Sequence, residues 1–243
     1  MAGHVFLTGV TGGIGSAIAQ CARRAGLGVV GFDQRVPNED PLLYELDVAD
    51  SSAVHEVFHA AVDAHGKPLH LIIAAGVMTL GYLDSLGADE FRKALEVNTL
   101  GVFNALQAGL SLLDTTGTPS VVVVTSNAAK VPRAGLGAYC ASKAAAEAIA
   151  RVAGLEYSSR GVRVNCVAPG STRTKMLYET VGQLTDDQII DGNPRDFRLG
   201  IPLTRIAEPE DIARVVMFLT SESARNITMQ SFTVDGGATL GVQ

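Results

Sequence analysis

Tyr139 and Lys143 stand four residues apart at the head of an alanine-rich run, a spacing that puts both side chains on one face of a helix. A free phenol ionises near pH ~10, and a neighbouring ammonium favours its anion, so such a pair can supply a base nearer neutral pH. Ser126 ends the apolar run 121–126 and is of the type to hydrogen-bond an oxygen that gains or loses a proton. Asn98 follows an amphipathic stretch and is expected to hold a water relay to Lys143. These four residues form the candidate catalytic set.

A second group has phosphate-binding character. Thr8-Gly9-Val10-Thr11-Gly12-Gly13-Ile14-Gly15 joins a short apolar run to a helical pattern. Glycines at 9, 13 and 15 let backbone N–H groups approach a pyrophosphate, and the positive end of the following helix faces its charge. Asp33 closes the next β-rich run, about 20 residues on, where a carboxylate can accept the ribose hydroxyls and repel a 2′-phosphate. NAD is therefore the expected cofactor, although Arg35 lies close by. Asp47 suits either the adenine amino group or a turn cap, and the sequence leaves both open.

The elements that must carry these residues read as alternating strands and helices. β-rich runs fall at 4–8, 28–33, 42–48, 70–75, 120–126, 162–168 and 231–235, with helical patterns between them. Runs such as Val121-Val122-Val123-Val124 are apolar without alternation, as in a parallel sheet covered on both faces. The expected fold is α/β: one domain over 1–243, a doubly wound Rossmann-type parallel sheet with helices on both faces. Residues 171–205, broken by glycine and proline, lack strand character and are expected to form a substrate lid.

Taken together, Thr8-Gly-x-x-x-Gly-x-Gly15, Asn98, Ser126, Tyr139-x-x-x-Lys143 and Pro169-Gly170 resemble the short-chain dehydrogenase/reductase family over essentially the whole chain. One departure is Ala74-Ala75-Gly76 where the family has Asn-Ala-Gly, which puts a structural hydrogen bond in doubt. The resemblance implies that Ile14, Val48, Ala75, Gly76, Pro169, Gly170, Thr172 and Thr174 join Gly9, Gly13, Gly15, Asp33, Asp47, Tyr139 and Lys143 around NAD. It also implies a homotetramer, with the helix from Tyr139 and the C-terminal segment at interfaces.

Further phrases, including Gly31-Phe32-Asp33-Gln34, Pro169-Gly170-Ser171-Thr172 and Asp235-Gly236-Gly237-Ala238-Thr239-Leu240-Gly241, are similar to a branch of that family from catechol siderophore pathways. Its members oxidise a carboxylated cyclohexadiene diol to an aromatic catechol acid. A carboxylated substrate calls for a cation, and Arg133, between Ser126 and Tyr139, is the first choice for the anchor. Ser126, Tyr139, Ser171 and Met176 complete the expected substrate contacts. Arg173, Arg195 and Arg198 are weaker candidates, read as surface charges. Two alternatives are a dehydrogenase of a related chorismate-derived compound, such as a dihydro-3-hydroxyanthranilate, and a nucleotide-sensing homologue without turnover. The second is expected to lose Tyr139 or Lys143.

Composition excludes other classes. With 19 basic against 25 acidic residues and a net charge of -6, the chain offers no basic stripe for nucleic acid or anionic lipid. The three cysteines are scattered, and no apolar stretch approaches the ~20 residues of a membrane span, so a cytoplasmic protein is expected. Asn226-Ile227-Thr228 matches a glycosylation triplet that arises often by chance. His55-Glu56-Val57-Phe58-His59 with His65 imitates a zinc-protease motif. On a continuous helix, however, His65 stands roughly 120° from His59, so no metal is expected.

Overall fold

A computed structural model describes residues 3–37 and 40–242. Seven parallel strands form one sheet: β1 (His4–Thr8), β2 (Gly28–Asp33), β3 (Leu43–Glu45), β4 (His70–Ile73), β5 (Ser120–Val124), β6 (Arg163–Pro169) and β7 (Ser231–Val234). Their order is β3-β2-β1-β4-β5-β6-β7. The chain reverses its direction of travel across the sheet between β1 and β4, and in such sheets ligands bind outside the carboxyl ends of the strands at that crevice.

Among the described residues, eight α-helices connect the strands: α1 (Gly13–Arg24), α2 (Ser51–His65), α3 (Ala88–Leu95), α4 (Gly101–Gly109), α5 (Gly137–Tyr157), α6 (Lys175–Val181), α7 (Asp186–Asp191) and α8 (Pro209–Thr220). Alternation along β5 shows why the valine run is apolar throughout. Val121 and Val123 enter one core with Phe6, Phe32 and Phe58, while Val122 and Val124 enter the other with Ile18, Ile72 and Val216. Helices α2, α4 and α5 cover the first face, and α1 and α8 the second.

Two expectations need correction. The run 42–48 pairs only as Leu43–Glu45, because Asp47 accepts the Ala49 N–H at 2.9 Å and Asp50 caps α2 through the N–H groups of Ser52 and Ala53. Residues 171–205 are not plain loop: they contain α6, α7 and the short turn Pro194–Asp196 over a small core of Ile189, Ile201 and Ile206.

The histidines of α2 behave as the helical geometry requires. His55 and His59 stack with ring centres 5.5 Å apart, while His65 is turned away and pairs with the Tyr44 hydroxyl at 2.9 Å. Among the described residues, no helix is long and apolar enough to cross a membrane.

Candidate active site

The glycine turn after β1 folds tightly against the loop that follows β4. Gly9 has φ 73°, and a Cβ there would stand 2.6 Å from the Ala75 nitrogen, so only glycine fits. Ala75 N donates to Thr8 Oγ1 at 3.4 Å, and Ala74 N to the Thr8 carbonyl at 3.1 Å. The β4 loop is thus tied to β1 without the asparagine side chain that Ala74 lacks.

Gly13 and Gly15 lie in the first turn of α1. This turn has neither an acidic residue nor a side-chain cap, which leaves its N–H groups available to an anion. Asp33, at the end of β2, accepts the Thr11 N–H at 2.9 Å and the Thr11 hydroxyl at 2.7 Å on one oxygen, and the Gln34 N–H at 2.8 Å on the other. Thr11 thereby fixes the carboxylate beside the turn. Val48 is buried, and Asn104 Nδ2 holds its carbonyl at 2.9 Å. Asp47 is exposed and makes the turn contact already described.

Asn98 sits in the π-helical turn Glu96–Leu100 between α3 and α4 and is fully buried. Its Oδ1 accepts the Val77 N–H at 2.8 Å; Nδ2 donates to the Val77 carbonyl at 2.9 Å and to Ser142 Oγ at 3.0 Å. The amide therefore ties the β4 loop to α5. The Asn98 Oδ1 and the Lys143 Nζ each lie 3.0 Å from where a Cβ on Gly76 would stand, so they border the same small space.

Tyr139 and Lys143 share one face of α5. Both are buried, and Lys143 Nζ donates to the Val124 carbonyl at 3.1 Å. Burial pushes the Tyr139 phenol above its usual range; a hydrogen bond with Ser126 and the charge of Arg133 act the other way. Burial likewise lowers Lys143 to about 8. The ammonium expected to lower the phenol is thus less influential here than desolvation and than Arg133.

A cavity of about 350 Å³ opens at the carboxyl ends of the central strands. From the expected set it brings together Ser126, Arg133, Tyr139 and Lys143 with Ile14 and Gly76. Its lining also includes Pro169, Gly170, Ser171, Thr172, Thr174 and Met176. Thr174 caps α6 and packs its methyl group toward Gly13, linking the segment 171–205 to the turn. Gly9, Gly13, Gly15, Asp33, Asp47, Val48, Ala75 and Asn98 do not line it. They lie in the β1–α1 turn, at the ends of β2 and β4, in the turn after β3, or, for Asn98, in the π-helical turn bonded to Ser142 of α5.

The half-buried Arg133 donates from Nη2 to Asn127 Oδ1 at 3.0 Å. Burial draws its guanidinium below its usual value, opposed by Cys140, Asp235 and Tyr139. It stays a cation, since arginine does not deprotonate in proteins. Arg173 faces outward into a cluster with Glu208 at 2.8 Å, and with Asp186 and the Tyr178 hydroxyl, each at 2.6 Å. Arg195 is exposed. Arg198 departs from the surface reading: it lines the cavity, with Nη2 3.2 Å from Ser171 Oγ. The sequence also gave no prominence to Asn127 or to the apolar wall of Met78, Leu80, Leu136, Leu177 and Leu184.

A family model described as enoyl-(acyl carrier protein) reductase matches residues 9–239. A 2,3-dihydro-2,3-dihydroxybenzoate dehydrogenase of Escherichia coli (strain K12) is 40% identical, with 98% of this chain and 97% of the relative covered. A protein of the same description from Bacillus subtilis (strain 168) is 37% identical over 98% and 96%. Among solved structures, ligand-free aldohexose dehydrogenase of Thermoplasma acidophilum superposes with a TM-score of 0.89 at 26% identity, covering 98% of this chain and 94% of that one.

Proposed function

The chain belongs to the short-chain dehydrogenase/reductase family, and we propose that within it the protein oxidises 2,3-dihydro-2,3-dihydroxybenzoate, a carboxylated cyclohexadiene diol, with NAD as oxidant. The observation that carries this reading is a cation in the reaction cavity: Arg133 shares the lining with Ser126 and Tyr139. An alcohol oxidation as such needs no guanidinium there, whereas a substrate carboxylate does.

In the proposed reaction Arg133 binds the carboxylate and the ring lies against Met176 and Ser171 of the lid. Ser126 hydrogen-bonds the C3 hydroxyl and Tyr139, as phenolate, takes its proton. NAD supplies one thing, acceptance of hydride from that carbon. The resulting ketone tautomerises to the aromatic catechol acid, which draws the reaction toward oxidation. Lys143 supports the phenolate and reaches toward the nicotinamide ribose, and Asn98 holds a water path to Lys143 beside Gly76.

The cofactor's pyrophosphate fits the uncapped start of α1, with Gly9, Gly13, Ile14 and Gly15 giving backbone approach. Asp33 accepts the adenosine ribose, and its charge disfavours NADP. Asp47 and Val48 flank the adenine, while Ala75, Gly76, Pro169, Gly170, Thr172 and Thr174 border the nicotinamide half. A cytoplasmic homotetramer completes the proposal. In support of assembly, Val152 and Leu155 on α5 are 53% and 66% exposed, an apolar surface that a partner subunit would cover.

The test is to mix protein, NAD and 2,3-dihydro-2,3-dihydroxybenzoate and follow both NADH absorbance and the aromatic product. Stoichiometric appearance of the two is expected. NAD binding with no turnover on this or any related diol would instead favour the nucleotide-sensing alternative, and a preference for the 3-amino analogue would move the substrate assignment.

A further inference from the structure

A chain of hydrogen bonds leads from the reaction cavity to the C-terminal turn, and none of its members beyond Arg133 takes part in the proposed chemistry. Arg133 Nη2 donates to Asn127 Oδ1 at 3.0 Å, and Asn127 Nδ2 donates to Asp235 Oδ2 at 3.1 Å. Asp235 follows β7 directly and is itself held by the Gly237 N–H at 3.0 Å, the Thr239 N–H at 3.0 Å and the Thr239 hydroxyl at 2.7 Å.

The polarity of this chain runs one way. A guanidinium only donates, a carboxylate only accepts, and the amide between them has one group of each kind. Only one orientation of the Asn127 amide satisfies both neighbours, with its oxygen toward Arg133. Asn127 is 1% exposed, so bulk solvent does not compete for either bond. The packing is equally specific: a Cβ at position 170 would stand 2.5 Å from Asp235 Cβ and 3.3 Å from Asn127 Nδ2. Gly170 therefore admits the relay as well as bordering the cavity.

We propose that Asn127 and Asp235 are positioning residues that aim the Arg133 guanidinium at the substrate carboxylate. This rests on the reading of Arg133 as the anchor. A long arginine side chain loses much rotamer freedom when it binds an anion, and a guanidinium already ordered by the protein loses less. The relay holds one edge of the group by a single N–H and leaves its other N–H groups to form the fork on the ligand. Asp235 also places a compensating charge behind the cation without competing for that fork.

The experiment is a double-mutant cycle of Asn127→Ala and Arg133→Met, read as kcat and KM on the carboxylated diol and as kcat/KM on the corresponding diol without the carboxylate. Arg133→Met alone should lower the carboxylated-to-uncharged ratio of kcat/KM by roughly ten- to hundredfold. Asn127→Ala alone should raise KM for the carboxylated diol by roughly three- to thirtyfold, with kcat changed by less than about twofold. In the Arg133→Met background the second change should add nothing, because positioning has no object once the guanidinium is gone. Additive losses, or equal losses on both substrates, overturn the relay while leaving the anchor standing. An unchanged ratio in Arg133→Met removes the anchor, and the relay with it. Should Asn127→Ala fail to fold, Asn127→Ser, polar but too short to bridge both partners, gives the same cycle.

Discussion

The Lys143 ammonium lies 6.0 Å from the centre of the Tyr139 ring and donates to the Val124 carbonyl at the end of β5. The lysine is thus braced by the sheet beside the phenol, and burial has brought its ionisation down to about 8. Lys143 loses its charge as pH rises through that value. In the proposed reaction, any charge Lys143 lends to a Tyr139 phenolate would therefore be present below about pH 8 and fade above it.

Lys143→Ala should weaken NAD binding and lower kcat/KM, and the inflection near pH 8 should vanish from the pH–rate profile. An unchanged profile would remove Lys143 from its role.

Asp33→Ser tests cofactor choice. The carboxylate that Thr11 fixes beside the α1 turn is the group that would repel a 2′-phosphate. Its loss should reduce the preference for NAD over NADP by roughly ten- to hundredfold, from ~1.5–3 kcal/mol for a charged hydrogen bond. Relative kcat/KM with the two cofactors measures this. A wild type that already prefers NADP would show that Asp33 has been misread.

His70 is expected to govern part of the acid stability. It is buried at the start of β4, its Nδ1 is 2.9 Å from Ser120 Oγ, and burial followed by the charge of Arg163 lowers its pKa to about 4. The unfolded chain takes up this proton near pH 6.5 and the folded one only near 4, so stability is intact above 6.5 and declines as pH falls toward 4. The contribution lost between pH 7 and 5 is about 2 kcal/mol. Urea unfolding at the two pH values should show it, and His70→Gln should flatten the difference. A His70→Gln protein with the full wild-type decline would assign the acid sensitivity elsewhere.

How far the sequence revealed this molecule depended on the range of each interaction. β1 and β2 were readable residue for residue, because apolar runs end at glycine or aspartate and their pairing is set by burial. β3 was read too long because two aspartates stop it by turn chemistry at Asp47 and Asp50. Helices α6 and α7 were legible in principle: Thr185 and Gln188 form a capping box, and Thr174 caps α6. Their glycine and proline neighbours hid that signal.

Tyr139 and Lys143 were visible because one helical turn separates them. Asn127 carried no local sign of its role, since the carboxylate that orients it lies 108 residues away. Arg198 likewise reaches the cavity only through the folding of residues 171–205.

The central claim is that Tyr139 transfers the substrate proton, and Tyr139→Phe tests it with the ring and its packing kept. NAD affinity, measured by titration, should stay near the wild-type value, while kcat on 2,3-dihydro-2,3-dihydroxybenzoate falls by ~10²–10⁴-fold, the usual contribution of a general acid–base group. A variant that binds NAD normally and turns over at the wild-type rate would contradict the account.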